Sequence, residues 1–317
     1  MVDLKIQQER TGYPLGHLLK LYGVRRSTYY GWDAEQPAAP PQRRNVLTVL
    51  PEEDKAVVEF RLQHREIGYR KLTWLMNDAD VAALSESAVY KVLSKHDLLG
   101  PWQKADNAET GKEYEHKPMY VHHHWHVDIA YVKVADIFYF LIMLLDGYSR
   151  YLLDWELMTD MLSSSVEDFI QQAREKFPLG TPMLIHDNGS QFISRDFKML
   201  VSKLQIQQVF TRRNHPQTNG KIERMNGTVK HEALRVACPN SYQEAWQTID
   251  DFVHYYNHRR LHAGIRYLRP IDMFEGRDQQ ILQQRKLRLK HARIARVETN
   301  LFNFNNKKEE DYSKFLN

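Results

Sequence analysis

A chain of 317 residues, 42% of them hydrophobic, has the length of about two domains with appendages and enough apolar side chains for a sizeable core. The formal charge of +4 points only weakly to an anionic partner. A single cysteine, Cys238, excludes an intramolecular disulfide and a cysteine-built zinc site, and fits a reducing cytoplasm. The longest apolar run, Ile137 to Leu145, is far short of the ~20 residues that a membrane helix needs, and the start MVDLKIQQER has no apolar signal core. The expectation is a soluble cytoplasmic protein with no membrane partner.

Residues 1–36 read as helical. Leu15, Leu18, Leu19 and Tyr22 recur at helical spacing, Gly23 breaks the pattern, and Ser27 is placed to cap a second helix that opens with Arg25, Arg26, Ser27 and Thr28. That is the layout of a DNA-reading helix-turn-helix, and equally of an ordinary helical hairpin. Residues 37–50 form a linker, because Pro37, Pro40 and Pro41 between Gln36 and Gln42 favour an extended spacer.

Residues 51–115 read as a second helical, helix-turn-helix-like domain, with a plain three-helix spacer as the bland alternative. Its helices are expected over Pro51 to His64, Tyr69 to Asn77 and Ser85 to His96, the last capped by Ser85. Leu84, Val89, Val92 and Leu93 would face its core.

Residues 116–276 form an α/β domain. His126 to Val134 alternates around Asp128, Ile137 to Leu145 is continuously apolar, and Asp146 to Ser149 turns into a third strand over Arg150 to Leu157. Ser164 and Glu167 make a capping box for a helix ending at Phe177 before Pro178. Strands Met183 to His186 and Ile206 to Phe210 flank a helix over Ser194 to Leu204, and a long helix from about Thr218 contains Glu223. Short connections and a right-handed crossover would set the fourth strand beside the first. Asp128 and Asp187 then become neighbours, with Glu223 on a helix able to complete the cluster.

Three carboxylates in water-poor surroundings repel one another unless a cation neutralises them. Oxygen-only ligands suit hard ions such as Mg²⁺ or Mn²⁺, and a pair of such ions serves in-line displacement at phosphorus. Spacing alone decides little, so the neighbouring residues carry the argument.

Those neighbours resemble the catalytic core of retroviral integrases and, more closely, of the transposases of bacterial insertion sequences. The likeness runs from about Trp125 to Phe274 and more weakly through the helical N-terminal part. It rests on Trp125 to Tyr131 (WHVDIAY), Asp146 to Arg150 (DGYSR) with Trp155, His186 to Phe192 (HDNGSQF), His215 to Lys230 (HPQTNGKIERMNGTVK), and Tyr256 to His262 (YNHRRLH) with Pro270. The chain departs from the family at two positions: His186 directly precedes Asp187 where a small residue is usual, and Ala130 stands where threonine is usual.

The resemblance implies an RNase H-like mixed five-stranded sheet flanked by helices, preceded by all-α helix-turn-helix modules. It implies a metal-dependent polynucleotidyl transferase that cleaves at transposon ends and then joins a 3′-hydroxyl to another DNA strand. Asp128, Asp187 and Glu223 would be the catalytic metal ligands, the two aspartates shared between two Mg²⁺ (or Mn²⁺) ions and Glu223 bound to one. The partners implied are double-stranded DNA, both element ends and target, and further copies of the chain, at least as a dimer, in the bacterial nucleoid.

Around Glu223, helical spacing aligns Asn226, Gly227 and Lys230, with Lys221 and Arg224 beside it and Arg212 and Arg213 on a preceding loop. These are DNA-contact candidates, or a solvated charged face. Arg259, Arg260 and His262 either contact DNA or cap a helix from Tyr242 to Asn257. His122, His123, His124 and His126 lack cysteine partners, and alternation turns neighbours to opposite faces, which argues against zinc. Residues 277–317 form a basic extension: Gln279 to Arg296 holds six Lys/Arg and no acid, able to contact phosphate. A repressor that keeps the fold without catalysis, and a nuclease without joining, are the competing classes.

Overall fold

A computed structural model describes residues 4–33, 45–100, 117–178, 180–187, 189–210 and 219–315. They fall into two compact units, residues 1–48 with 300–317, and residues 49–299. The proline-bearing spacer expected over Gln36 to Gln42 lies outside the described residues.

In the first unit, α1 (Leu4–Thr11), α2 (Leu15–Leu21) and α3 (Arg26–Asp33) bury Leu4, Leu18, Leu19 and Tyr29 together. Gly23 has φ +66°, and Val24 N donates to Leu19 O, which closes α2 in the way a left-handed glycine permits. Ser27 does not cap α3 as expected. The helix begins one residue earlier, and the amides of Thr28 and Tyr29 donate to the carbonyl of Arg25.

The second unit opens with α4 (Pro51–Gln63), α5 (Tyr69–Asp78) and α6 (Glu86–Lys95) around Val57, Leu72, Met76, Leu84, Val89, Val92 and Leu93. Ser85 caps α6 by accepting from Ala88 N at 3.2 Å.

The sheet follows, from β1 (His124–Val134), β2 (Ile137–Asp146), β3 (Leu152–Met158), β4 (Met183–His186) and β5 (Gln207–Phe210). Its order is β3-β2-β1-β4-β5, with β1–β2 and β2–β3 antiparallel and β1–β4 and β4–β5 parallel. The fourth strand thus lies beside the first, as the crossover rule requires. β2 is apolar throughout its inner half because both of its faces are covered. One face packs α7 (Ser163–Lys176) and α9 (Arg195–Lys203), with short α8 (Ser190–Ile193) between them, through Trp125, Val127, Phe169, Phe192 and Phe197. The other packs α10 (Gly220–Thr228), a π-helical segment (Val229–Leu234), short α11 (Arg235–Ala237) and α12 (Tyr242–His258); Met143, Leu145, Ile222, Met225, Val229 and Ile249 form its core.

Local differences from the expected elements have identifiable causes. The capping box at Ser164 and Glu167 is not formed. Helix α7 starts at Ser163 with no side-chain cap at Leu162, and Asp160 braces its entry by accepting from Leu162 N at 3.1 Å and Ser165 Oγ at 2.8 Å. Ser194 caps α9, accepting from Phe197 N.

After α13 (Pro270–Phe274), the segment expected as a phosphate-contacting basic extension is one helix, α14 (Asp278–Phe315). Of the six cations from Gln279 to Arg296, two are not available to phosphate. Arg285 is buried, grips Asp78 through two hydrogen bonds, and lies over the Trp74 ring. Arg296 is buried and donates to Glu53 at 2.8 Å, while Arg288 donates to the carbonyl of Asn77. No helix among the described residues is long and apolar enough to cross a membrane.

Candidate active site

Asp128 projects from the middle of β1, on the face that carries His124 and His126, because side chains alternate along a strand. Strand β4 pairs with β1 as far as His126 with Ile185. Continuing that register sets Asp187, just past the tip of β4, level with Asp128. Glu223 stands in the first turn of α10, whose buried Ile222 and Met225 seat the helix on this face of the sheet. Asp128 is half-buried; Asp187 and Glu223 are exposed.

Asn226, one turn beyond Glu223, donates its Nδ2 to Asp128 Oδ2 at 2.7 Å. It was expected as a DNA contact. The structure instead buries it and ties its amide to the β1 carboxylate, since the residue faces inward between Met225 and the strand.

Burial pushes the Asp128 carboxyl up to about 6, helped by the negative charges of Asp187 and Glu223 and opposed by hydrogen bonds from the Ile129 amide and Asn226. Three acids therefore share one electrostatic neighbourhood. Among the described residues, no three His, Cys, Asp or Glu side chains lie close enough to hold a metal ion. The chemistry of the donor set nevertheless fits a hard divalent cation: all three groups are carboxylates, and the charges of Asp187 and Glu223 bear on the half-buried Asp128.

Asp187 Oδ1 accepts from Gly189 N at 3.0 Å, and a Cβ added at Gly189 would lie 3.0 Å from that oxygen, so glycine permits the tight turn after β4. His186 points away from the acids into the opposite core, stacked on Phe192, and burial holds its pKa below the ordinary value. His124 and His126 are buried beneath the site. Burial, with the charges of Lys221 and Arg150 nearby, keeps His126 well below the usual imidazole range. His122 accepts from Trp125 Nε1 and packs against Phe177 and Phe274.

Arg25, Arg26, Ser27 and Thr28 are exposed on and before α3. Arg212 and Arg213 lie outside the described residues. Lys221 donates to the carbonyl of Gly147 at 3.3 Å, Arg224 is exposed and Lys230 is half-buried. Lys230 lies beyond α10, in the π-helical segment that begins at Val229. Arg259 is exposed at the C-cap of α12. Arg260 is not a free cation: it forms a two-pronged ion pair with Glu232 at 2.7 and 2.6 Å and lies over Tyr256.

Two supports escaped the sequence reading. Asp146 is fully buried and accepts from His122 N, Ser149 N and Ser149 Oγ, which organises the turn after β2. Asn257 exchanges hydrogen bonds with the backbone of Leu152, tying α12 to β3. The short motifs DGYS and YNHRR held those residues, and their polar members at apolar element ends were the available signal.

The integrase core domain matches this chain in two overlapping stretches, residues 120–216 and residues 204–270. The transposase for insertion sequence element IS904 of Lactococcus lactis subsp. lactis is 28% identical over 150 residues, 47% of this chain and 59% of that protein. The InsK protein of insertion sequence element IS150 of Escherichia coli K12 is 23% identical over 283 residues, 85% of this chain and 96% of that protein. The structure of the integrase catalytic core domain of HTLV-2, in complex with magnesium, is similar at 21% identity and a TM-score of 0.40, over 49% of this chain and 98% of that one. Residues 120–270 are similar in sequence to the integrase core domain. The chain is a relative of the retroviral-integrase-like transposases of bacterial insertion sequences.

Proposed function

We propose that this protein is a DNA transposase that cuts at the ends of its element and joins the freed 3′-hydroxyl to target DNA by polynucleotidyl transfer. The observation that supports it most is the seating of Asp128 by Asn226 beneath Glu223, with Asp187 level on the adjoining strand. Asp128 and Asp187 would hold two divalent ions, magnesium or manganese, and Glu223 one of them. Bound there, such ions supply charge neutralisation at the phosphodiester and acidify the attacking hydroxyl.

The chain's own groups do the positioning. Asn226 fixes one oxygen of Asp128 by a hydrogen bond from its side-chain amide. Lys221, Arg224 and Lys230, with Arg212, Arg213 and Arg259, are proposed phosphate contacts that hold the DNA backbone in register. Arg25, Arg26, Ser27 and Thr28 are proposed to read element ends from a DNA-binding module over residues 1–36, joined by 37–50 to a helical domain over 51–115, with the catalytic domain over 116–276 and the extension over 277–317. Two copies or more would be needed to hold two ends.

The test is joining of a labelled end oligonucleotide to a target plasmid with Mg²⁺, with Ca²⁺ and with chelator. Joining in Mg²⁺ alone supports the reading. Cutting without joining would mark a nuclease, and neither activity a repressor.

A further inference from the structure

Asp187 lies past the last ladder pair of its strand, His186 with Phe210, so the ladder no longer fixes its peptide. The residue before it takes over. The His186 ring is fully buried, its centroid 4.8 Å from that of Phe192, with Phe197 and Phe210 edge-on. Its Nδ1 is hydrogen-bonded with the carbonyl oxygen of Asp187, and its Nε2 lies 2.9 Å from Nε2 of Gln208 on β5.

The far end of this chain of contacts sets every proton in it. Gln208 Nε2 also lies 2.7 Å from the carbonyl oxygen of Phe192. A carbonyl oxygen only accepts, so the Gln208 atom placed there is the amide nitrogen. That nitrogen directs its second proton at His186 Nε2, which is therefore the acceptor. In a neutral ring the remaining proton sits on Nδ1, where it meets a second carbonyl, that of Asp187. All three links are satisfied in one assignment, and rotating the Gln208 amide would set carbonyl against carbonyl at Phe192.

We infer that His186 and Gln208 are positioning residues for Asp187: Phe192 orients Gln208, Gln208 selects the Nδ1–H form of His186, and that proton holds the peptide from which the Asp187 carboxylate projects. The inference rests on the proposed role of Asp187 as a metal ligand, and it gives the histidine that stands in place of a small residue a specific task. Outer partners of this kind typically change metal affinity or activity by about 10–100-fold.

Nitrogen-15 NMR of the metal-free full-length protein, labelled at histidine, reads the tautomer directly. A protonated Nδ1 and a bare Nε2 on His186 at neutral pH are expected; a protonated Nε2 overturns the assignment. Calorimetric Mn²⁺ binding and the metal concentration needed for joining form the second readout. His186→Leu and Gln208→Leu should each raise the concentration required by about 10–100-fold. His186→Asn, which keeps a donor near the position of Nδ1, should recover most of that loss. If His186→Leu fails to fold, Gln208→Leu carries the test with the ring in place, and an unchanged metal requirement there overturns the inference. Failure of the underlying functional reading looks different: Asp187→Asn would still join ends, whatever tautomer His186 adopts.

Discussion

Asn226 and Asp128, 98 positions apart in the chain, are joined by a 2.7 Å hydrogen bond that fastens the helix of Glu223 to the central strand. Two of the three acids are thus positioned by one contact rather than by two independent elements.

Replacing Asn226 by alanine should therefore damage more than one carboxylate. The lost bond costs about 1 kcal/mol of stability, which is modest. The metal requirement for joining should rise by about 10–100-fold, as for other groups that orient a ligand. Circular dichroism to confirm folding, followed by joining across a Mg²⁺ series, checks this; an unchanged midpoint would detach Asn226 from the site.

Asp128 carries a stability cost of its own. Its pKa is raised from 3.8 to about 6, so between those values the folded chain holds a proton that the unfolded chain has lost. Its favourable contribution is present below about 3.8 and is lost as pH rises through 6. At neutral pH without metal, the ionised group destabilises the fold by roughly 1–3 kcal/mol. Asp128→Asn should raise the metal-free unfolding midpoint by a few degrees, abolish joining, and weaken the stabilisation that Mg²⁺ gives the parent protein. A metal-free midpoint below that of the parent would contradict this.

Buried imidazoles act in the opposite sense. His262 is lowered from 6.5 to about 3, chiefly by burial and then by the charges of Arg150, Arg260, Lys71 and Arg224. Its Nδ1 accepts from Gly264 N at 3.1 Å, which requires the unprotonated nitrogen. Between about pH 6.5 and 3 the unfolded chain binds a proton that the folded chain refuses. Stability from this group is complete above 6.5 and drains as pH falls, and His126 adds in the same direction. Across pH 7 to pH 4, where Asp128 acts in the other direction, the urea midpoint of His262→Asn, which retains an acceptor for Gly264, should hold up better than that of the parent as pH falls.

Arg285 provides a test of α14 as structure rather than phosphate ligand. Its guanidinium bonds Asp78 and the carbonyls of Arg266 and Tyr267. Arg285→Ala leaves those acceptors unpaired, Asp78 being about a third exposed. A loss of about 2–3 kcal/mol in urea unfolding is expected. A change in salt-dependent DNA affinity with full stability would instead place this cation at the nucleic acid.

The sheet and the three acids were legible because their signals are local. Apolar runs bounded by turn residues define β2 and β4, and a crossover rule orders them around Asp128 and Asp187. Long-range pairing was not legible. Nothing near Asn226 announces that its amide meets a strand 98 positions earlier, and nothing near Arg285 announces Asp78, 207 positions away. Arg260 read as a surface cation for the same reason, since Glu232 is its partner only once the helix has changed pitch. Ser27 and Ser164 carried good capping chemistry, yet each falls inside its helix, because α3 starts at Arg26 and α7 at Ser163.

The π-helical stretch from Val229 to Leu234 also sets the phase of the side chains within it. A π-turn accommodates one residue more than an α-turn, so deleting a single residue there would restore ordinary winding and re-aim the side chains of the stretch, Glu232 among them. Glu232 would swing away from Arg260, whereas Glu223, upstream of the change, would keep its place above Asp128. Homologues one residue shorter at this point should therefore have lost both members of that ion pair together while retaining all three acids.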